Sequence, residues 1–544
     1  MSQIPLVAAV VAGHISIFKS VLLLLILLGW ARLLTWADKD GPRAHLQREW
    51  MNVMLMGSGL AGFALFFLMP GFFLGLVTLL VLILAGAGTY LGIRHNKVGL
   101  TDLQRDLADW WQNLFKKKKA AAKVEVGQVV LIKGNGTPLA PPDPQSPEHV
   151  AYEAVQTFLA SALQKGAHRI DVRPAETGTA VAATIDGVSY HASTLDRAAA
   201  GAGITYLKRA AGLDINDRRK PQTGMLKATL DGRRMELEIS TAGSTAGESL
   251  SVVPDPKKRF EKKLEDLGLL PAQLQVIQQG IRSGRGLVLV GTPPGQGLTT
   301  LMYSLLRGHD AFLTHIHSIE RKPEADLEGI TQNPLAPSAG GAEETKQVEW
   351  VISQQPDTIL IDQVISPQAA RELARYAAEK RVYVGMRAAG TFDALVQWMK
   401  LVGDEQLAAR TLDLVLVGCV MRRLCTACKT AYSPNPEQLR KLNLDPQRVS
   451  RLYAARTQPI RDKKGNPVPC QFCHELRYKG RFGVYETLVV DDDVRAAMAT
   501  ALSQSQFMKL LRKQRGLLLQ EVALVQVEAG NTSVQEVLRV LRGQ

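Results

Sequence analysis

Four of the five cysteines in the 544-residue sequence have the spacing of a metal site. Two CxxC pairs can each direct two thiolates at one centre, and together they supply the four sulfur ligands of a structural zinc site. The 41 residues between the pairs are expected to form a helical, hairpin-like insert. Structural zinc is favoured over free or redox-active thiols. A catalytic zinc is disfavoured, because four thiolates leave no open coordination position. The predicted ligands are Cys425, Cys428, Cys470 and Cys473.

Two further residues near these pairs are weaker candidates. His474 follows the last cysteine and is a possible substitute ligand, although a surface position suits it better. Cys419 lies in the apolar run LDLVLVGCV and is expected to be an ordinary core residue.

A glycine-rich loop between a predicted strand and a predicted helix is the second candidate site. The apolar run GLVLV (286–290) precedes GTPPGQGLTT (291–300). Loops in this context cradle phosphates with backbone N–H groups, while a Lys neutralises the phosphate oxygens and a Ser or Thr holds magnesium. Leu occupies the position of that Lys, and Pro294 removes one backbone donor. The pattern is therefore weak, and a structural turn is the default interpretation. The candidate nucleotide contacts are Gly295, Gly297, Leu298, Thr299 and Thr300.

A second apolar run, DTILIDQ (357–363), predicts a strand that ends next to Asp362 and Gln363. Open α/β sheets place ligand chemistry at the carboxyl edge of their strands. At that edge Asp362 can hold magnesium, directly or through water. The amide of Gln363 cannot accept a proton from an attacking water, so this pair lacks a general base.

A series of segments carries a family resemblance through their wording and their order along the chain. They are KGAHRIDVRP (165–174), IDGVSYH (185–191), AGLDINDRRKPQTG (211–224), LEDLGLL (264–270), the glycine-rich loop, HSIERKPEADLEGI (317–330), QQPDTILIDQ (354–363), RRLCTAC (422–428) and YKGRFGVYETLVVDD (478–492). On these segments, the sequence from about residue 150 to 544 resembles the secretion-motor ATPases that drive type II secretion and type IV pilus assembly. The resemblance implies an α/β fold, in which a small α/β domain is joined to a RecA-like P-loop NTPase domain with a tetracysteine zinc insert. It also implies a hexameric ring with ATP between subunits.

The departures from that family fall on the residues that carry its chemistry. The Walker A Lys is replaced by Leu298, the Walker B Glu by Gln363 and the histidine-box His by Arg387. In the aspartate box Glu320 remains, but the next acid is Arg321. Other departures are Ile365, Ser366, Met225, Glu238 and Ser249. Glu320, Gln363 and Arg387 are therefore interpreted as vestigial. We expect a retained fold with negligible hydrolysis and with weak or absent binding of ATP and magnesium.

The N-terminal part of the sequence is apolar enough to enter a membrane. Residues 53–93 contain no Asp, Glu, Lys or Arg, and Met69-Pro70-Gly71 interrupts them. This pattern predicts a hairpin of two transmembrane helices, over about 52–69 and 72–93. Residues 21–36 are a third candidate, weakened by Arg32. Two or three crossings both agree with the sequence.

The segment after the hairpin is basic, with eight Lys and Arg against three Asp in residues 94–123. This charge bias predicts that everything after residue 94 lies in the cytoplasm of a bacterium, beneath its inner membrane. Leucines and a tryptophan at helical spacing over 100–114 suit an amphipathic helix on the membrane surface. A packed helix followed by a solvated linker explains the same pattern equally well.

The amino-acid composition limits which other classes of protein and partner are compatible with the sequence. A hydrophobic fraction of 46% and a charged fraction of 21% exclude a mainly disordered chain, and five cysteines are too few for a disulfide-stapled secreted protein. The net charge, 65 − 51 = +14, favours anionic partners. Nucleic acid is disfavoured as a partner, because part of the basic excess is juxtamembrane and no aromatic stacking motif accompanies it.

The sequence predicts six segments. They are a transmembrane region (1–94), a juxtamembrane helix and linker (95–148), a small α/β domain (149–256), a RecA-like domain (257–420), a tetracysteine zinc domain (421–490) and a helical C-terminal region (491–544). In the small α/β domain, Asp186-Gly187 and Asp231-Gly232 are expected to form hairpin turns.

These features favour a membrane-anchored, catalytically degenerate homologue of the secretion-motor ATPases. It would act as a scaffold or regulatory subunit of a secretion or pilus machine, in a homo- or hetero-oligomer for which an active paralogous ATPase is a candidate partner. The alternative is an active hexameric ATPase whose missing groups come from a neighbouring subunit.

Overall fold

The computed structural model describes residues 17–40, 48–98, 128–132, 137–176, 178–462, 464–500 and 502–542. The chain divides into two units, Met1–Val124 and Glu125–Gln544. The segment predicted as an amphipathic helix, 100–114, lies outside the described residues.

Three long apolar helices make up the described part of the first unit: α1 (Ile17–Asp40), α2 (Arg48–Leu68) and α3 (Phe72–Val98). The predicted hairpin is confirmed as α2 and α3, and the third candidate is also a helix. All three are long and apolar enough to cross a membrane.

Polar contacts align the three helices as an antiparallel bundle. At one end, the Asn52 side-chain amide donates to Asp38 over 2.6 Å, and the Tyr90 hydroxyl donates to the Ala37 carbonyl over 3.3 Å. At the other end, the Lys19 ammonium lies 5.0 Å from the centre of the Phe72 ring. Helix α1 therefore runs the length of the hairpin.

The second unit begins with an antiparallel sheet, in which the described strands have the order β1-β5-β6-β7-β2-β3-β4. Burial alternates along β3, so one face of the sheet is buried, and it forms a core with two helices of this unit. The strands are β1 (Val130–Ile132), β2 (Arg169–Ala175), β3 (Gly178–Ile185), β4 (Val188–Leu195), β5 (Gln222–Leu230), β6 (Arg233–Ser244) and β7 (Gly247–Pro254), and the helices are α4 (Pro147–Gln164) and α5 (Arg197–Ala210).

Two features of this sheet bear on the sequence predictions. The predicted turns at Asp186-Gly187 and Asp231-Gly232 are confirmed, since they join β3 to β4 and β5 to β6 with positive φ at all four residues. Strand β1 lies inside the segment predicted as juxtamembrane helix and linker, and it pairs with the edge of β5. The sheet therefore extends back along the chain to Val130.

A second sheet also has seven described strands, in the order β10-β9-β11-β12-β8-β13-β18, and it is parallel except for β18. Its inner strands β8, β9, β11 and β12 are buried along their whole length because helices cover both faces. The strands are β8 (Gly286–Gly291), β9 (Ile316–Glu320), β10 (Ile330–Pro334), β11 (Thr358–Ile361), β12 (Arg381–Met386), β13 (Leu412–Leu424) and β18 (Tyr478–Val489). The helices are α6 (Pro271–Ser283), α7 (Leu298–Leu306), α8 (Gly341–Ser353), α9 (Pro367–Tyr376), α10 (Thr391–Val402) and α11 (Glu405–Arg410).

The insert between the cysteine pairs leads the chain back to the cluster, as expected of a hairpin-like insert. Most of the insert is not helical, however. Its described elements are two small β-pairs and one short helix: β14 (Thr430–Tyr432), α12 (Pro436–Lys441), β15 (Leu452–Ala454), β16 (Ile460–Arg461) and β17 (Pro467–Val468). The helix ends early because Asn443 adopts a left-handed conformation, φ 60°, and β15 then pairs with β14. Four helices follow β18: α13 (Asp492–Met498), α14 (Gln504–Lys513), α15 (Leu519–Glu528) and α16 (Val534–Arg542).

The two sheets of the second unit are joined by an ionic network. The Arg422 guanidinium donates to the Tyr190 hydroxyl of β4 over 2.9 Å and to the Glu536 carboxylate of α16 over 2.6 Å. The Gly480 N–H donates to Asp186 over 2.8 Å. Burial alone would raise the pKa of Glu536, but hydrogen bonds from Arg539 and Arg422 lower it to about 2. Glu536 therefore stays charged and keeps the junction paired.

Candidate functional site

Neighbouring parallel strands end at one edge of the second sheet and bring the predicted nucleotide-site residues together there. β8 leads into the glycine-rich loop, β9 ends at Glu320, β11 precedes Asp362 and β12 precedes Arg387. Leu298, Thr299, Glu320, Asp362, Gln363 and Arg387 line one cleft of about 80 Å³. Ordinary small-molecule sites measure roughly 300–1,000 Å³. The cleft is therefore smaller than an ordinary small-molecule site.

The glycine-rich loop keeps the shape of a phosphate loop without its charge. Gly295 and Gly297 have φ of 72° and 87°. A Cβ on Gly297 would lie 3.2 Å from a methyl group of Val420. The Gln296 side chain accepts the Val420 N–H over 3.0 Å, which fastens the loop to β13. Leu298 begins α7 and is only 7% exposed, packed in an apolar cluster. Leu298 itself supplies no charge, and the cationic residues that line the same cleft are Lys322 and Arg387.

Glu320 is buried, and protein donors already occupy its carboxylate. One oxygen accepts the Ser318 hydroxyl and the Gln332 amide, the latter over 3.0 Å. The other oxygen accepts the Tyr303 hydroxyl. Burial, and then the hydrogen bond to Glu320, raise the pKa of Tyr303 above its ordinary range, so Tyr303 remains a donor. Glu320 therefore has a structural role in this chain.

Asp362 is the acid in the cleft with the more open carboxylate. One of its oxygens accepts the Arg321 N–H over 2.9 Å. Burial, and secondarily the charge of Glu320, raise its pKa. Gln363 beside it is exposed and has no proton-accepting group. The cleft thus contains a candidate magnesium ligand but no general base at this position.

A buried carboxylate connects three positions at which the sequence departs from the family it resembles. Glu344, fully buried in α8, accepts the Arg321 guanidinium over 2.8 Å. Its other oxygen accepts the N–H groups of Ile365 over 2.8 Å and of Ser366 over 2.9 Å. Sequence reasoning missed Glu344, because no local pattern indicates a contact between a strand end and a helix 23 residues later.

The four predicted cysteines form one buried cluster, with all four sulfurs within 4.8 Å of one another. The sulfurs of Cys425 and Cys470 are 3.9 Å apart, and those of Cys428 and Cys473 are 3.6 Å apart. A tetrahedral site with Zn–S bonds of about 2.3 Å requires sulfur separations of roughly 3.8 Å. The cluster therefore fits zinc. His474 is not part of it, and Cys419 is buried in the core of β13, as predicted.

Backbone donors favour the anionic form of one thiol in this cluster, that of Cys470, whereas burial raises the pKa of Cys428 and Cys473. Burial opposes ionisation of Cys470, but N–H donors of Cys473 and Phe472 lower the pKa of its thiol to about 7. Glu475 accepts the Cys470 N–H over 2.7 Å and the Arg456 guanidinium over 2.8 Å. Such supporting contacts orient metal ligands. Sequence reasoning missed Glu475 and Arg456, although Glu475 follows the last cysteine by only two residues.

Comparison with known proteins places the second unit in context. Residues 145–539 match a family model described as type II/IV secretion system protein. The type IV pilus assembly ATPase PilB of Thermus thermophilus is 27% identical over 394 residues, 72% of this chain but 43% of that protein. A putative type II secretion system protein E of Escherichia coli is 24% identical over 387 residues, 71% of this chain and 76% of that protein. The X-ray structure of the Yersinia pseudotuberculosis ATPase DotB superimposes with a TM-score of 0.47 and 15% identity, covering 75% of this chain and 97% of its own.

Proposed function

The chain belongs to the type II/IV secretion system protein family, and from that premise we propose that it is a membrane-anchored, catalytically degenerate member of it. In this proposal it acts as a scaffold or regulatory subunit of a secretion or pilus machine. The second sheet and its glycine-rich loop correspond to a RecA-like P-loop domain that has lost the ability to hydrolyse ATP. The four cysteines hold a structural zinc.

The Glu344 network is the observation that carries this proposal. Arg321 departs from the family pattern, and its guanidinium pairs with the buried Glu344 carboxylate, whose other oxygen accepts the backbone N–H groups of Ile365 and Ser366. Removing one partner from a buried ion pair leaves an unpaired charge and costs about 3–5 kcal/mol. An acid at position 321, the family type, would remove that partner and add a like charge. This pairing supports a remodelled, stable site rather than a decaying one.

The cleft supports the same conclusion from its chemistry. Leu298 supplies no positive charge to a phosphate chain, and Gln363 supplies no base. Glu320 cannot take part without giving up the donors of Ser318, Tyr303 or Gln332. In the competing function, an active hexameric ATPase, a neighbouring subunit would have to supply the missing groups.

The three helices of the first unit are proposed to anchor the protein in a bacterial inner membrane. Their outward faces are apolar, with Leu25, Phe67 and Leu84 between 60% and 66% exposed. Apolar side chains in such numbers suit lipid rather than water. The basic residues after α3 place the second unit in the cytoplasm. Three crossings then put the α2–α3 turn on the opposite side.

We expect a cysteine introduced at Gly71 to react with a membrane-impermeant maleimide in intact cells. Gly71 lies in the α2–α3 turn, which three crossings expose outside the cytoplasm. A matched Arg43→Cys variant, between α1 and α2, should react only after permeabilisation. The five native cysteines are a built-in control, because all lie in the second unit. Labelling of Arg43→Cys in intact cells would contradict this topology.

The scaffold role predicts stable association with a machine subunit. Full-length tagged protein, solubilised from native membranes, should co-purify with an ATPase of the same family or with another subunit of a secretion or pilus machine. Deletion of the protein should abolish assembly of that machine, while the Leu298→Met/Gln363→Asn variant should still support it, because neither change adds or removes a charge. Loss of assembly with this variant would favour the active-ATPase alternative.

A further inference from the structure

A groove on the antiparallel sheet carries three arginines, Arg197, Arg218 and Arg219, and is termed the arginine groove below. The groove lies on this antiparallel sheet and not at the carboxyl edge of the second sheet. Its volume, about 870 Å³, falls within the range of roughly 300–1,000 Å³ typical of small-molecule sites. Size alone therefore permits a compact organic ligand.

The charge of the arginine groove is unbalanced. Within the described part of the chain, none of its three arginines forms a salt bridge. Glu248 is the one acid that lines the groove, and its carboxylate is paired with the Lys208 ammonium at 2.8 Å. Lys208 is 1% exposed, so solvent has little access to this ion pair. The groove therefore presents three positive charges to solvent without an opposing one.

The loop that carries two of these arginines is held rigidly. Asp217 accepts the N–H groups of Arg219 and Lys220, each over 3.0 Å. The Gly243 N–H bonds the Arg219 carbonyl over 3.3 Å. Any Cβ at Gly243 would lie 2.6 Å from the Arg218 carbonyl oxygen, so the β6–β7 hairpin and this loop approach too closely for a side chain. The guanidinium groups are therefore mounted on a fixed backbone.

The remaining lining is apolar or hydroxylic. Ala200 and Ile204 of α5 form an apolar floor, and Ser244 and Thr245 add hydroxyl groups at the hairpin end. Guanidinium groups bind phosphate oxygens in bidentate geometry. An apolar floor beneath several arginines suits a ligand with a phosphate group and an apolar or planar body.

We propose that the arginine groove is a binding site for a small phosphate-bearing molecule, separate from the cleft at the carboxyl edge of the second sheet. The phosphate group binds Arg197, Arg218 and Arg219, and the body of the ligand rests on α5. The shared chemistry is a phosphate ester or anhydride, which a soluble nucleotide and a lipid headgroup both offer. The site does not depend on whether the chain hydrolyses ATP.

The test is calorimetric titration of the full-length protein in detergent with inorganic pyrophosphate, with adenosine monophosphate and with short-chain phosphatidic acid. Sub-millimolar binding of at least one probe is expected, and the probe that binds best identifies a soluble or a lipid ligand. The Arg218→Gln/Arg219→Gln variant should weaken that binding at least about tenfold, since it removes two guanidinium groups that form charge-assisted hydrogen bonds with phosphate. Arg218→Lys/Arg219→Lys should fall between the two, because it keeps charge but loses bidentate geometry.

A second adjacent arginine pair in the same sheet is the matched control. Arg233 and Arg234 lie at the start of β6, outside the groove, and Arg233→Gln/Arg234→Gln makes the same change in net charge. This control should bind as the unmodified protein does. An equal loss in the control would show only general electrostatic attraction and would overturn the proposal, as would the absence of binding by all three probes. Melting temperatures of each variant show whether the sheet remains folded.

Discussion

The purified full-length protein is expected to hydrolyse ATP at no more than about 10⁻³ per second. Enzymes commonly turn over at about 1–10³ per second, and loss of one preorganised electrostatic group costs about 10²–10³ in rate. Here Leu298 leaves the phosphates without their cation, and Gln363 and Arg387 replace two further groups. Such losses within one site need not multiply, but from a rate of about one per second a single loss of about 10³ already reaches this level.

The measurement compares turnover of the unmodified protein with that of Leu298→Lys/Gln363→Glu, both in detergent and in lipid nanodiscs. Two restored groups should raise the rate detectably, although Arg321 and Arg387 still limit it. Leu298→Met/Gln363→Asn controls for altered packing without adding charge. Turnover of about one per second in the unmodified protein would reject the degenerate interpretation and favour the active hexamer.

Removal of the metal is expected to unfold the region that the cysteines hold together. One zinc per chain is predicted, and structural zinc sites contribute on the order of 10 kcal/mol to folding. That contribution is as large as the total stability of a typical domain, about 5–15 kcal/mol. A chelator, or Cys428→Ser with Cys473→Ser, should therefore make residues 421–490 sensitive to protease.

Elemental analysis and limited proteolysis of the full-length protein test this expectation together. Cys419→Ala is the control, because Cys419 lies in β13 outside the cluster and its replacement should leave zinc content unchanged. A folded, protease-resistant protein with no zinc and four titratable thiols in the cluster would show that the site does not need a metal.

The parts of the fold that sequence predicted correctly depend on local rules. Asp186-Gly187 and Asp231-Gly232 form turns because only a few residue types accept positive φ at adjacent positions. The cysteine cluster follows from its spacing. The convergence of Glu320 and Asp362 follows from the rule that parallel strands present their carboxyl ends at one edge.

The parts that sequence did not predict depend on contacts between distant residues. In the sequence, Arg321 is visible only as the replacement of an acid. In the structure, its guanidinium pairs with the buried Glu344 carboxylate of another element. Strand β1 has only three residues, and its pairing with β5, about 100 positions later, gives no local signal. The insert between the cysteine pairs looks helical by periodicity, but its tertiary pairing of β14 with β15 prevails.

Strand β1 also determines where mechanical tension would enter the second unit. Among the described residues after α3, the first to contact this unit is Gln128, whose side-chain amide donates to the Tyr152 hydroxyl of α4 over 2.5 Å. At Val129 the N–H and carbonyl bond the Gln156 side chain of α4 over 2.8 and 2.7 Å. Val129 and Leu131 are both buried, and β1 pairs with β5. A pull along the chain is therefore shared between a helix and a sheet before it reaches the proline-rich residues 137–146.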